Sequence, residues 1–149
     1  MNLKKVLTPE TVWVDLKADS KHAVIEEMID RLCAAGKIQD REAALSAVLE
    51  RESKMSTGMQ NGVAIPHGKT DEVTELIAAV GVHQAGVDFS SMDGEPAKIF
   101  IMTVSPTKRT GPHIQFLAEV SRLLSQSEER EKLLAAKTHG EIYEILTGK

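Results

Sequence analysis

Gly62-Val63-Ala64-Ile65-Pro66-His67-Gly68 is an apolar run that ends on one histidine. Val63 to Pro66 suit a short buried strand, in which Pro66 fixes its own φ and withdraws a donor from the ladder. Gly68 is expected to let the chain turn away at once and to leave room for a close approach. The run therefore predicts an imidazole held at a strand end on a stiff local frame. Histidine is the side chain whose ordinary pKa leaves it mostly neutral, hence nucleophilic, near pH 7. An isolated Pro-His-Gly reads first as a hydrogen-bonding core or loop histidine, so the surrounding sequence has to decide.

Upstream, residues 21–35 carry Val24, Ile25, Met28, Ile29 and Leu32 on one helical stripe, with Asp19 or Ser20 as cap and Gly36 as stop. Cys33 sits beside that stripe and reads as a small buried hydrophobe. A second helix starts at the cap Asp40 and runs to about Glu52, with Ala44, Leu45, Val48 and Leu49 inward. From Ser53 to Gly62 the apolar stripe disappears, and Ser56-Thr57-Gly58 and Asn61-Gly62 supply turn chemistry.

Downstream, Leu76 to Val82 and Lys98 to Val104 read as strands separated by a turn at Ser90–Pro96. A third helix is expected near Pro112, continuing to Leu124 with Ile114, Leu117, Val120 and Leu124 inward. Thr138 and Glu141 form a capping-box pair ahead of Ile142, Tyr143, Ile145 and Leu146, and Gly148 ends that helix. Helices, strands and helices in this order predict an α/β fold. The expected form is a three-layer α/β/α sandwich whose sheet is mixed, because some connections are short.

The chain has 149 residues, enough for one domain over 1–149 with a core of its own. Apolar residues are 42% and charged residues 27%, an ordinary globular balance. A net charge of −4 with only 3% aromatics argues against nucleic acid as partner. The single cysteine rules out an internal disulfide and a cysteine zinc cage, and fits a reducing cytoplasm. The apolar stretch before Thr8-Pro9-Glu10 is short for a secretory signal, and no run approaches membrane-spanning length, so no membrane insertion is expected.

Three features accompany His67. Ser56-Thr57-Gly58 offers hydroxyls and backbone N–H groups of the kind that bind phosphate oxygens, although alone it reads first as a turn. Arg51, at the end of the second helix, is either an anion clamp or a solvated arginine favoured by the helix dipole. His113 opens the third helix, where unpaired N–H groups favour an anion; a surface histidine is the equal alternative. His22, His83 and His139 read as structural or solvated. No HExxH or cysteine spacing completes a metal site.

Arg51-Glu52 with Ser56-Thr57-Gly58, then Asn61 to Gly68, resembles the active-site signature of enzyme IIA of the fructose/mannitol class. That family serves the bacterial phosphoenolpyruvate-dependent phosphotransferase system and includes nitrogen-regulatory enzyme IIA paralogues. The resemblance extends to Met92-Asp93-Gly94, to His113 with Ser121-Arg122-Leu123-Leu124, and to the ending Glu141 to Leu146. It implies a mixed sheet of about five strands. It also implies that His67 accepts a phosphoryl group from phospho-HPr and passes it to a cysteine of an enzyme IIB. His113 is then the assisting histidine, Arg51 the family's arginine, and Ser56, Thr57 and Gly58 the lining of the phosphoryl site, with no cofactor or metal. The alternative within the family is a regulatory module whose phospho-His67 is read by partner proteins. Intact His67, His113 and Arg51 argue against a degenerate binding domain.

Overall fold

Short strands alternate with capped helices in the computed structural model, which describes residues 3–148. Met1, Asn2 and Lys149, the ends of the expected 1–149 domain, lie outside the described residues. In chain order the elements are β1 (Val12–Trp13), α1 (Lys21–Ala34), α2 (Arg41–Lys54), β2 (Val63–Ala64), β3 (His67–Lys69), β4 (Ile77–Val87), β5 (Ala97–Ser105), α3 (Thr110–Leu124), α4 (Ser127–Ala135) and α5 (His139–Thr147).

The caps fall where small polar residues can satisfy the first free N–H groups of a helix. Ser20 accepts from Ala23, Asp40 from Ala43 and Thr138 from Glu141. Gly148 ends α5 in the left-handed region. Asn61 and Gly62 both take positive φ, the conformation that a two-residue hairpin turn demands. Their turn brings Met59 N to Val63 O at 2.8 Å.

The sheet is five-stranded and mixed, in the order β1-β4-β5-β2, with β3 also on β5. β4 and β5 are antiparallel, while β1, β2 and β3 run parallel to their partners. β2 and β3 form one interrupted edge in a single register: Val63 faces Ile99, Ala64 faces Phe100, and His67 faces Thr103. The break falls at Ile65-Pro66, because proline has no N–H to give the ladder. Its carbonyl still accepts from Thr103 N at 3.2 Å.

Helices cover both faces, completing the expected α/β/α sandwich. On one face Val24, Ile25, Met28 and Val48 of α1 and α2 pack with Phe100 and Met102. On the other, Phe116, Val120, Leu133 and Ile142 of α3, α4 and α5 pack with Ile99 and Ile101. The strand period of two sends neighbouring residues of β5 to opposite cores.

Several expectations change. β4 continues past Val82 to Val87 with an irregular register between them, where His83 to Gly86 hides the strand from its apolar pattern. Cys33 is half-buried rather than fully enclosed. α3 starts at Thr110, and its inward face carries His113, Phe116, Val120 and Leu124; Ile114 is 62% exposed instead of inward.

Gly68 does not turn the chain but continues β3. A Cβ there would lie 2.7 Å from both Ala47 C and Val48 N, so α2 is what approaches closely. Backbone atoms of a packed helix cannot step aside, and overpacking of this kind costs about 1–3 kcal/mol. Gly68→Ala is therefore expected to lower Tm by about 3–10 °C. Gly111→Ala is the control, since its Cβ would meet nothing within 4 Å and alanine favours a helix. Equal melting of the two variants would refute the close-approach explanation.

Candidate functional site

The parallel pairing of β3 with β5 decides which side chains meet. His67 and Thr103 are register partners, and partners across a ladder project to the same face of the sheet. Gly68, the next residue, faces the opposite way against α2. The Thr103 hydroxyl lies 2.9 Å from His113 Nδ1, which draws the first turn of α3 over the end of the sheet. The two imidazoles consequently sit with centroids 5.2 Å apart and planes at 39°.

The rings differ in environment. His67 is partly exposed, and its Nδ1 lies 2.8 Å from the carbonyl oxygen of Ile65. A carbonyl can only accept, so Nδ1 carries the hydrogen, and in the neutral ring the lone pair is on Nε2. His113 is 8% exposed, contrary to the surface reading. Burial first, then the neighbouring His67 and Lys69, hold its pKa down to about 4. It is neutral across the physiological range.

A cleft of about 620 Å³ opens over this pair. Arg51 and Lys54 of α2, His67 and Lys69 of β3, and Thr110 and His113 of α3 contribute to its walls. Glu50 also lines the cleft and lies 3.8 Å from Lys54 Nζ; the three basic side chains outnumber it, and a basic rim beside an imidazole suits a small, multiply charged anion. Arg51 also donates to the Met55 carbonyl at 2.8 Å, which steadies its guanidinium at the end of α2.

Ser56, Thr57 and Gly58 do not wall this cleft, and both of their hydroxyls are engaged elsewhere. Ser56 Oγ donates to Phe89 O at 2.6 Å and accepts from Gly58 N at 3.1 Å. Thr57 gives its hydroxyl and its N–H to the carboxylate of Glu52, at 2.5 and 2.7 Å. These bonds tie the loop to Glu52 of α2 and to Phe89.

Of the expected residues, the structure thus gathers His67, His113 and Arg51 and leaves out the Ser56–Gly58 loop. Sequence reasoning missed Thr103, Lys54 and Lys69 as contributors. Each had a local signal: Lys69 alternates with His67 along a strand, Lys54 follows Arg51 at helical spacing, and Thr103 is a hydroxyl inside an apolar strand run. His83 and His139 serve the frame, accepting from Gly86 N and Val14 N at 3.0 Å each. His22 is paired loosely with Glu26 at 3.3 Å on the surface. Lys108 and Arg109 are exposed and do not contribute to the cleft.

Residues 5–149 match the family described as phosphoenolpyruvate-dependent sugar phosphotransferase system, EIIA 2. The chain is 38% identical over 141 residues to the PTS system fructose-specific EIIA component of Haloferax volcanii, covering 94% of this chain and 92% of that one. It is also 38% identical over 146 residues to the fructose-specific EIIABC component of Bacillus subtilis, covering 98% of this chain but only 23% of that longer protein. Among solved structures, the nitrogen regulatory protein IIA-Ntr of Neisseria meningitidis superposes with a TM-score of 0.85 at 28% identity, covering 97% of this chain and 99% of that one. The Escherichia coli mannitol enzyme IIA, solved in complex with phosphorylated enzyme IIB, shares the fold with a TM-score of 0.81 at 24% identity, over 96% of this chain and 98% of that one.

Proposed function

This chain belongs to the EIIA 2 family of the phosphoenolpyruvate-dependent sugar phosphotransferase system, and on that premise we propose that it is a phosphocarrier whose acceptor atom is His67 Nε2. The observation that carries the proposal is the 2.8 Å contact from His67 Nδ1 to the Ile65 carbonyl. In the neutral ring it leaves Nε2 with the lone pair that a phosphoryl acceptor needs.

The donor is phospho-HPr. As its N–P bond breaks, the Nε2 lone pair of His67 forms the new N–P bond, and the freed pair returns to the donor imidazole. Positive charge grows on the His67 ring during attack, which strengthens the hydrogen bond from Nδ1–H to Ile65 O. Arg51, Lys54 and Lys69 offset the negative charge spread over the three equatorial oxygens. With His113 Nδ1 accepting from the Thr103 hydroxyl 2.9 Å away, the neutral ring carries its hydrogen on Nε2 and offers it to one of those oxygens. The forward step is the same reaction with a cysteine thiolate of an enzyme IIB as nucleophile: the S–P bond forms, Nε2–P breaks, and the pair returns to Nε2. A phosphotransferase component of this kind works in the cytoplasm, where both partners meet it. Among the described residues no helix is long and apolar enough to cross a membrane.

The likeness to the Neisseria nitrogen regulatory protein favours a second use of the same chemistry, in which phospho-His67 is the signal read by a regulated protein. Neighbouring genes for sugar IIB and IIC components support transport, whereas a nitrogen sigma factor gene supports regulation.

The test is intact-mass measurement after mixing the protein with phosphoenolpyruvate, enzyme I and HPr. One acid-labile phosphoryl adduct is expected. No adduct while HPr itself becomes phosphorylated would overturn the carrier reading.

A further inference from the structure

A run of hydrogen bonds ties the loop that stays out of the cleft to His67. Glu52 is buried at the end of α2, 7% exposed, and its Oε2 pairs with Lys21 Nζ at 2.9 Å. Its two oxygens hold Thr57 by hydroxyl and N–H. The Thr57 carbonyl accepts from Ile65 N at 3.1 Å. The Ile65 carbonyl then accepts from His67 Nδ1 at 2.8 Å.

The Ile65 side chain packs against the core beneath α3, and its backbone N–H is held by the Thr57 carbonyl. The residue sits in the gap between β2 and β3, where the ladder is interrupted by Pro66. Its carbonyl nevertheless decides which ring nitrogen of His67 carries the hydrogen and how the ring is turned. The Ile65 N–H and C=O lie in adjacent peptide planes separated only by that residue's φ and ψ, so fixing the N–H narrows the directions open to the C=O. A buried carboxylate that receives two donors on one residue is a stiff anchor for that plane.

We propose that Glu52 is a positioning residue for His67, acting through Thr57 and the Ile65 peptide to set the imidazole tautomer and orientation. Glu52 touches no reacting atom. The kinetic part of the inference rests on the reading of His67 as acceptor; the tautomer part does not.

The experiment compares wild type with Glu52→Gln, Thr57→Val and Thr57→Ser by 15N NMR of the histidine rings and by initial rates of phosphorylation from phospho-HPr. Thr57→Val removes the hydroxyl at nearly constant volume, so it keeps the test sharp if Glu52→Gln folds poorly. Wild type is expected to show His67 with hydrogen on Nδ1. Glu52→Gln and Thr57→Val should shift that ring toward a mixture of tautomers and slow acceptance by about tenfold or more. Thr57→Ser should restore both. The ring signals of His83, fixed by Ala18 O and Gly86 N, should stay unchanged and so separate positioning from general damage. A His67 ring identical to wild type in both folded variants would overturn the proposal. A wild-type protein with the expected tautomer but no phosphoryl adduct would instead overturn the acceptor reading and leave the positioning intact.

Discussion

His67→Gln is expected to take up no phosphoryl group from phospho-HPr while remaining folded. An amide has no nucleophilic lone pair comparable to imidazole Nε2, so the N–P bond has nothing to form on. Stability should change by about 1 kcal/mol or less, because His67 is partly exposed and makes one hydrogen bond, to Ile65 O. Intact-mass analysis reads the adduct, and a thermal melt run beside it checks the fold. An acid-labile adduct persisting at full stoichiometry on this variant would move the acceptor elsewhere, with His113 as the first alternative at 5.2 Å between ring centroids.

His113→Ala should slow acceptance by about 10²–10³-fold, the usual cost of deleting one aligned donor from a site where negative charge is stabilised. The adduct should still form given time, since the His67 nucleophile and the cations remain. Complete loss of acceptance, rather than slowing, would show that His113 does more than assist. The same residue gives a stability signature. The unfolded chain takes up the proton near the ordinary value of 6.5, whereas the folded protein does so only near 4. The folded state therefore binds fewer protons within that window. Its stability is complete above about 6.5 and falls as pH drops toward 4, by about 3 kcal/mol at most. His113→Asn keeps a polar partner for the Thr103 hydroxyl but cannot titrate, so denaturant unfolding of that variant should lose this part of the pH dependence. An unchanged profile would place the titrating group elsewhere.

Much of the frame was legible because it is local. The stripe Val24, Ile25, Met28, Ile29 and Leu32 is fully buried as its helical period requires. Ser20, Asp40 and Thr138 cap the helices they precede, and Asn61-Gly62 makes the turn that its chemistry favours. Ile114 was misread for the same reason: apolar spacing near the start of α3 allows two overlapping faces. The packing of Phe116, Val120 and Leu124 on the sheet, together with the Thr103 contact, selects the one that buries His113.

By itself, the sequence determined the α/β class, the caps of α1, α2 and α5 and the candidates His67, His113 and Arg51, since these follow from residue type and short spacing, and the resemblance of its signature identified the family. Tertiary structure alone decided three further matters. It set the register that lays His67 beside Thr103. It committed Ser56 and Thr57 to Phe89 and Glu52 rather than to the cleft. It also made Gly68 a contact with α2 instead of a turn. Propensity and periodicity act over a few neighbouring residues. The choice of hydrogen-bond partner across a sheet, or of one helix for another's surface, depends on groups brought together only when the whole chain packs.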